Sequence, residues 1–123
     1  MYYKIDKELL DKKFVIKRGD RHYGETYHAL YVFLTQLQFN ISSIGFNYWI
    51  TAIYKYSKNH YKYNTIEKVY EDVAETYGTT RNRVERAMRT AREAATKEIH
   101  EAFNYHLKLT NKTVLKLLTH EII

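Results

Sequence analysis

The chain contains no cysteine and no proline, and only four of its 123 residues are glycine. Without cysteine there is no disulfide framework, no thiolate nucleophile and no cysteine-ligated metal site. Without proline there is no proline-rich linker to divide the chain, and no low-complexity tract or internal repeat interrupts it. The few glycines form no phosphate-cradling loop. No apolar run approaches the ~20 residues that span a bilayer, and the N-terminus, MYYKIDKELLDKK, is too charged for a signal peptide. A cytoplasmic protein is therefore expected. At 45% hydrophobic and 15% aromatic content, the chain can bury one core without metals or disulfides.

What is present is positive charge, unevenly placed. The net charge of +6 favours an anionic partner, although charge alone is weak evidence. The informative stretch is Thr65 to Lys97, TIEKVYEDVAETYGTTRNRVERAMRTAREAATK, which reads as an acidic helix, a glycine turn and a basic helix. Ile66, Val69, Tyr70, Val73, Ala74 and Tyr77 give the first helix one buried face, and the Thr65 hydroxyl can cap its free amides. Gly78 follows the last periodic residue, where a helix stop commonly takes a left-handed backbone. Thr79 or Thr80 can cap the second helix, and this turn length suits a helix-turn-helix over residues 65–97.

On the second helix Val84, Ala87, Met88, Ala91 and Ala95 share one side, while Asn82, Arg86, Arg89 and Glu93 point away from it. Between Thr79 and Lys97 six basic residues stand against two acidic ones, with the bases crowding the N-terminal half. Positive charge at a helix N-terminus opposes the helix dipole, so the arrangement makes most sense with an anionic partner such as the DNA major groove. The blander reading is an ordinary solvated charged face, but such faces are seldom preceded by a capped helix and turn.

Elsewhere, Tyr27 to Phe39 carries Leu30, Tyr31, Phe33, Leu34 and Leu37 in a pattern that suits a largely buried helix. Ile44 to Tyr56 repeats it with Trp49, Ile50, Ile53 and Tyr54 after the turn-like Ser42, Ser43 and Gly45. A short helix is expected over Ile99 to Phe103. Thr113 to Ile122, with Val114, Leu115, Leu117 and Leu118, should close the core or offer a self-association surface. Residues 1–27 form an extension of uncertain structure before the helical domain at 28–123, and FVIKRGDRHYG at 14–24 could be a strand and turn.

The run YKYSKNHYKYN at 54–64 alternates tyrosine with lysine and histidine. Such interleaving can stack on unpaired bases, but tyrosines packed at a helix end, with the lysines solvated or on the DNA backbone, is the preferred reading. The six histidines are scattered, with no pair at metal-ligating spacing. Glu67, Glu71, Asp72 and Glu75 suit the solvent face of the first motif helix. No cofactor, metal, catalytic residue or small-molecule ligand is expected, and the chain does not read as an enzyme.

The string TTRNRVERAMRTA resembles the recognition helix of the C-terminal DNA-binding domain of the sporulation initiation response regulator, stage 0 sporulation protein A. VYEDVAETYGTT is similar to that family's preceding helix, IGFNYWITAI to an earlier one and FNYHLKLTNKTVLKLL to its C-terminal end, so the resemblance covers about residues 30 to 121. It implies an all-α fold, a compact bundle of about six helices containing the helix-turn-helix, that binds a short double-stranded DNA box, often as tandem copies. By match of motif, Arg83, Glu85 and Arg86 take the base-reading positions, while Thr79, Thr80, Arg81, Asn82 and Arg89 approach phosphates. The chemistry agrees, because arginine can bond two acceptors on guanine and glutamate can accept from the cytosine amino group. Glu85 can equally pair with Arg81 or Arg89 on its own helix, for about 0.2–0.5 kcal/mol.

The family's receiver domain has no room before the similar region, so activation by aspartyl phosphorylation is not expected. The segment before Phe103 is a few residues shorter than the family's and lacks a glycine turn of its polymerase-contacting surface, which argues against an activator. The family's proline at the start of the first motif helix is also replaced, around Glu71. These features point to a sequence-specific double-stranded DNA-binding protein, a repressor or autoregulator, possible as a homodimer or in tandem on DNA, with no membrane partner. The alternatives are a plasmid or phage site-binding protein for replication, partition or transfer, and an interaction module acting on a full-length regulator.

Overall fold

The computed structural model describes residues 23–58 and 60–122. Among the described residues the architecture is all-α, with six helices and one short 3-10 turn at His60–Lys62. Helix α1 spans Tyr23–Gln36, α2 Ile44–Lys58, α3 Ile66–Tyr77, α4 Arg81–Glu93, α5 Thr96–Phe103 and α6 Asn111–Ile122. Helices α3 and α4 are the two arms of the helix-turn-helix. Helix α2 is central and packs against α1, α3, α4 and α6. Its one-sided run Phe46, Trp49, Ile50 and Ile53 meets Leu30 and Leu34 of α1, Met88 of α4, Ile99 of α5 and Leu115 and Leu118 of α6, all of them fully buried in one core. Each such side chain contributes about 1.5–3 kcal/mol relative to exposure, so α2 fixes the angle at which the motif is presented.

Three helices end by the same device. After α1, Gln38 takes a left-handed backbone (φ 69°), Phe39 N–H donates to Leu34 O at 3.1 Å and Gln38 N–H to Thr35 O at 3.0 Å. After α3, Gly78 (φ 66°) does the same, with Thr79 N–H reaching Ala74 O at 2.9 Å. After α5 it is Asn104 (φ 50°), with Tyr105 N–H reaching His100 O at 3.1 Å. These paired bonds satisfy carbonyls that a helix end otherwise leaves open.

Several expectations are corrected. Helix α1 begins four residues before Tyr27 and ends three before Phe39, where the left-handed turn at Gln38 closes it. Of the strand and turn expected at 14–24, residues 14–22 lie outside the described residues, and Tyr23 and Gly24 are the first two residues of α1. Helices α5 and α6 begin before Ile99 and Thr113, at Thr96 and Asn111. Gly45 is no turn residue but lies in the first turn of α2, buried where α2 crosses α4. Thr65 precedes α3 with an extended backbone, yet its hydroxyl caps no amide; the chain enters α3 from buried Tyr63 and is anchored by buried Val69. The second motif helix stops at Glu93 rather than continuing to Lys97. Ala95 N–H turns back to Arg92 O at 2.8 Å and the Thr96 hydroxyl takes Glu93 O at 2.9 Å, starting α5 in a new direction. Tyr31 and Tyr77 stand at the rim of the core, not inside it. Tyr31 meets Phe46 edge-on at 5.2 Å, and the Tyr77 hydroxyl, its ring against Tyr48, reaches Thr51 Oγ1 at 2.7 Å.

Candidate nucleic-acid interface

Helix α4 owes its exposed face to its composition. Val84, Met88 and Ala91 are fully buried and Ala87 half-buried, which leaves Arg81, Asn82, Arg83, Arg86 and Arg89 exposed to solvent. Thr80 adopts the extended backbone of an N-cap, and its hydroxyl accepts from the Arg83 amide at 3.3 Å. Of the two threonines offered as caps it is therefore Thr80 that works; Thr79 is half-buried in the turn. Removing such a cap costs about 1 kcal/mol.

Around the helix axis Arg83 and Glu85 stand about 160° apart at 3.6 residues per turn, on opposite flanks, with Asn82, Arg86 and Arg89 on the outward surface between them. Arg83 and Arg86 border the N-terminal end of α2, where Ile44 and Gly45 lie. Glu85 lies on the side of α6, half-buried, its carboxylate 3.8 Å from Arg89 one turn on. Arg81 pairs instead with Glu71 of α3 at 3.8 Å. Both pairs are solvated and worth under about 1 kcal/mol, so a phosphate can displace them. The ion pairs among the described residues leave Arg83 and Arg86 out. Of the predicted residues, Arg81, Asn82, Arg83, Glu85, Arg86 and Arg89 thus lie on α4, with Thr79 and Thr80 in the turn before it, and Arg83 and Glu85 cannot point the same way.

The back of α4 is held by groups that sequence reasoning did not single out for this task. The Trp49 indole Nε1 donates to Met88 O at 2.8 Å, and the Asn40 amide to Ala91 O at 3.4 Å. Buried Asn111, the first residue of α6, donates to Glu85 O at 3.2 Å and to the Tyr70 hydroxyl at 3.1 Å, while its Oδ1 accepts from Arg92 Nε at 2.7 Å. Carbonyls at 85, 88 and 91 lie on one side of a helix, so these bonds hold α4 from three neighbouring segments. Burial lowers the Arg92 pKa, with Glu93 among the groups acting in the opposite sense, and burial raises that of Tyr70 against the opposing Asn111 bond. Arg92 is thereby a structural cation and not part of the exposed row. No sequence signal marks Asn111, whose three partners come from α3 and α4.

At the crossing of α2 and α4, a Cβ on Gly45 would collide with the Ala87 carbonyl and lie 3.0 Å from Ala91 Cβ. Only glycine permits this approach, which brings the start of α2 up to the exposed flank of α4.

The tyrosine and lysine run is partly folded into the core, although Tyr61 stays exposed. Tyr63 is buried, Tyr56 stacks on it at 6.2 Å, and Lys62 and the Tyr63 hydroxyl both bond Asp72 Oδ2, at 3.1 and 2.7 Å. Burial and the adjacent Asp72 carboxylate push the Tyr63 hydroxyl pKa well up. For Asp72, burial acts to raise the pKa but the bonds from Tyr63 and Lys62 outweigh it and hold it down. Asp72 is thus an anchor on the supposed solvent face of α3. Among the described residues no group of three or more His, Asp or Glu side chains could hold a metal ion, and no helix is long and apolar enough to cross a membrane.

The sequence model of one protein family, described as the sporulation initiation factor Spo0A C terminal, matches residues 30–122, from α1 to the last residue of α6. No curated protein matches the chain.

Proposed function

The chain belongs to the sporulation initiation factor Spo0A C-terminal family, and from that premise we propose that it is a sequence-specific reader of double-stranded DNA that regulates transcription. At family level these are helical, non-enzymatic DNA-binding domains of the transcription-regulator type. The observation that carries the finer reading is the contrast between the two sides of α4. Its back is fixed by Trp49, Asn40 and Asn111, while its front offers Arg83 and Arg86 with no carboxylate partner among the described residues. A rigid helix with free guanidinium groups is what bidentate recognition of guanine O6 and N7 requires.

In this reading Arg83 and Arg86 read bases from one flank of α4, and Glu85 reaches the groove from the other, accepting from a cytosine amino group once Arg89 turns to a phosphate. Thr79, Thr80, Arg81, Asn82 and Arg89 set the register on the backbone. Occupying a promoter in this way would repress or autoregulate a gene. Placing two copies on adjacent boxes would strengthen binding without a stable dimer in solution. The test is affinity for a selected duplex and a scrambled control. Arg83→Ala and Arg86→Ala should each lose roughly 1–3 kcal/mol on the selected duplex and far less on the control. Unchanged affinity in both variants would overturn the assignment and favour a role through a protein partner.

A further inference from the structure

We propose that Ile44 reads a thymine 5-methyl group beside the bases contacted from α4. This rests on the DNA-reading function above and adds to it a contact from outside the helix-turn-helix. Ile44 is the first residue of α2 and is 54% exposed. A single exposed isoleucine needs no explanation, but its surroundings do. It lines a shallow concavity with Ser43, Gly45, Arg83, Arg86, Ala87 and Thr90, whose walls are mostly carbon although two cations stand at its edge.

Its position is fixed by its neighbour. Gly45 packs directly against the α4 backbone at Ala87, so α2 can neither slide nor lift away from α4 without losing that contact. The aliphatic side chain is therefore held ready beside Arg83 and Arg86 before any ligand arrives, which reduces the ordering cost of binding.

Charge and shape together specify the occupant. Two guanidinium groups with no carboxylate partner among the described residues call for an anionic, acceptor-rich partner, and the carbon-lined hollow beside them for an apolar group on that same partner. A duplex entered through its major groove supplies both. Its phosphates and guanine acceptors suit the arginines, and the thymine 5-methyl is the aliphatic group displayed on a base edge there. A phosphate can take the donors that Ser43, Thr90 and the two arginines bring to the rim, but it would gain nothing against the Ile44 side chain, which only an apolar group can use. The box should accordingly require a thymine at one position next to the arginine-read bases.

The experiment is parallel selection from a random duplex library with the wild-type chain and Ile44→Ala, followed by affinity measurements on the wild-type winner with each thymine replaced in turn by deoxyuridine. The uracil substitution removes only the methyl and leaves the protein untouched, so it is immune to any folding defect in the variant. The expected result is one thymine position whose preference disappears in Ile44→Ala and whose deoxyuridine duplex binds the wild type about fourfold more weakly, near the worth of one buried methyl. The same replacement should have no further effect on Ile44→Ala. If no thymine is sensitive to methyl removal, or if Ile44→Ala keeps the full preference, the proposal is overturned. Arg83→Ala, measured on the same duplexes, separates the two levels. If it loses affinity while Ile44→Ala does not, the DNA-reading function stands and the methyl contact falls; if wild type shows no preferred sequence at all, both fall.

Discussion

The indole nitrogen of Trp49 donates a hydrogen bond to the main-chain carbonyl of Met88 at 2.8 Å, with both residues fully buried. The carbonyl belongs to the exposed-arginine helix and the indole to the central helix, so the bond ties α4 to the middle of the core. Phe39 packs edge-on against the same indole at 5.5 Å and closes the third side. Trp49→Phe keeps an aromatic ring but loses the donor and some volume. It should cost about 1–3 kcal/mol in unfolding free energy, measured by denaturant titration, while affinity for a cognate duplex at low temperature changes little. A loss of affinity far larger than the loss of stability would show that the bond sets the helix position and not merely its stability.

Gly45 and Gly78 separate two kinds of glycine. Gly78→Ala meets open space but a left-handed backbone, so it should cost about 1–2 kcal/mol and leave the arginine row where it is. Gly45→Ala drives a methyl into the Ala87 carbonyl and must displace one helix from the other. The expected outcome is a larger fall in melting temperature and a loss of DNA affinity beyond that of Gly78→Ala. Equal effects on affinity from the two variants would count against the close crossing.

Asn111→Ala leaves the Arg92 guanidinium, the Glu85 carbonyl and the Tyr70 hydroxyl each short of a partner. A stability loss of about 2–3 kcal/mol is expected. Tyr70→Phe, which removes only one of the three bonds, should lose clearly less. Calorimetry on both variants checks the order, and a reversed order would place the weight of the network on Tyr70.

Acid should weaken the join between α3 and the turn before it. Tyr63 and Lys62 hold the Asp72 carboxyl below its ordinary value of 3.8. Because the pKa is lower folded than unfolded, its contribution is complete above the unfolded value and is lost as pH falls through the folded one. Asp72→Asn should therefore be less stable than wild type at pH 7, with the gap closing below about pH 4. Chemical denaturation at several pH values measures this, and a gap that stays constant down to pH 2 would remove Asp72 from the acid response.

The parts of this architecture legible in the sequence are those set by neighbours along the chain. Gly78 announced its left-handed turn, Thr79 or Thr80 a cap, and the spacing of Val84, Met88 and Ala91 the buried side of α4. Gln38 and Asn104 make the same turn as Gly78, but glutamine carries no such preference, and what holds it is the pair of bonds to Thr35 and Leu34. Gly45 resembled a turn residue because its constraint comes from Ala87, 42 positions away in sequence. The two bonds that immobilise α4 from Trp49 and Asn111 likewise join residues 39 and 26 positions apart. Helical periodicity specifies which face is buried, not which polar atoms meet across it. The outward placing of Asn82, Arg86 and Arg89 did follow from spacing, whereas the separation of Arg83 from Glu85 cuts across their grouping as base readers, and the choice of Arg89 over Arg81 as partner for Glu85 depended on Glu71 of α3 claiming Arg81.

The central claim is tested most directly by selecting binders of the wild-type chain from a random duplex library and measuring affinity for the winner and a scrambled control across salt concentrations. A short G/C-containing box bound about 10³-fold or more above the control is the predicted result. Equal binding to every duplex, collapsing as salt rises, would contradict it and reduce the exposed arginines to electrostatic attachment.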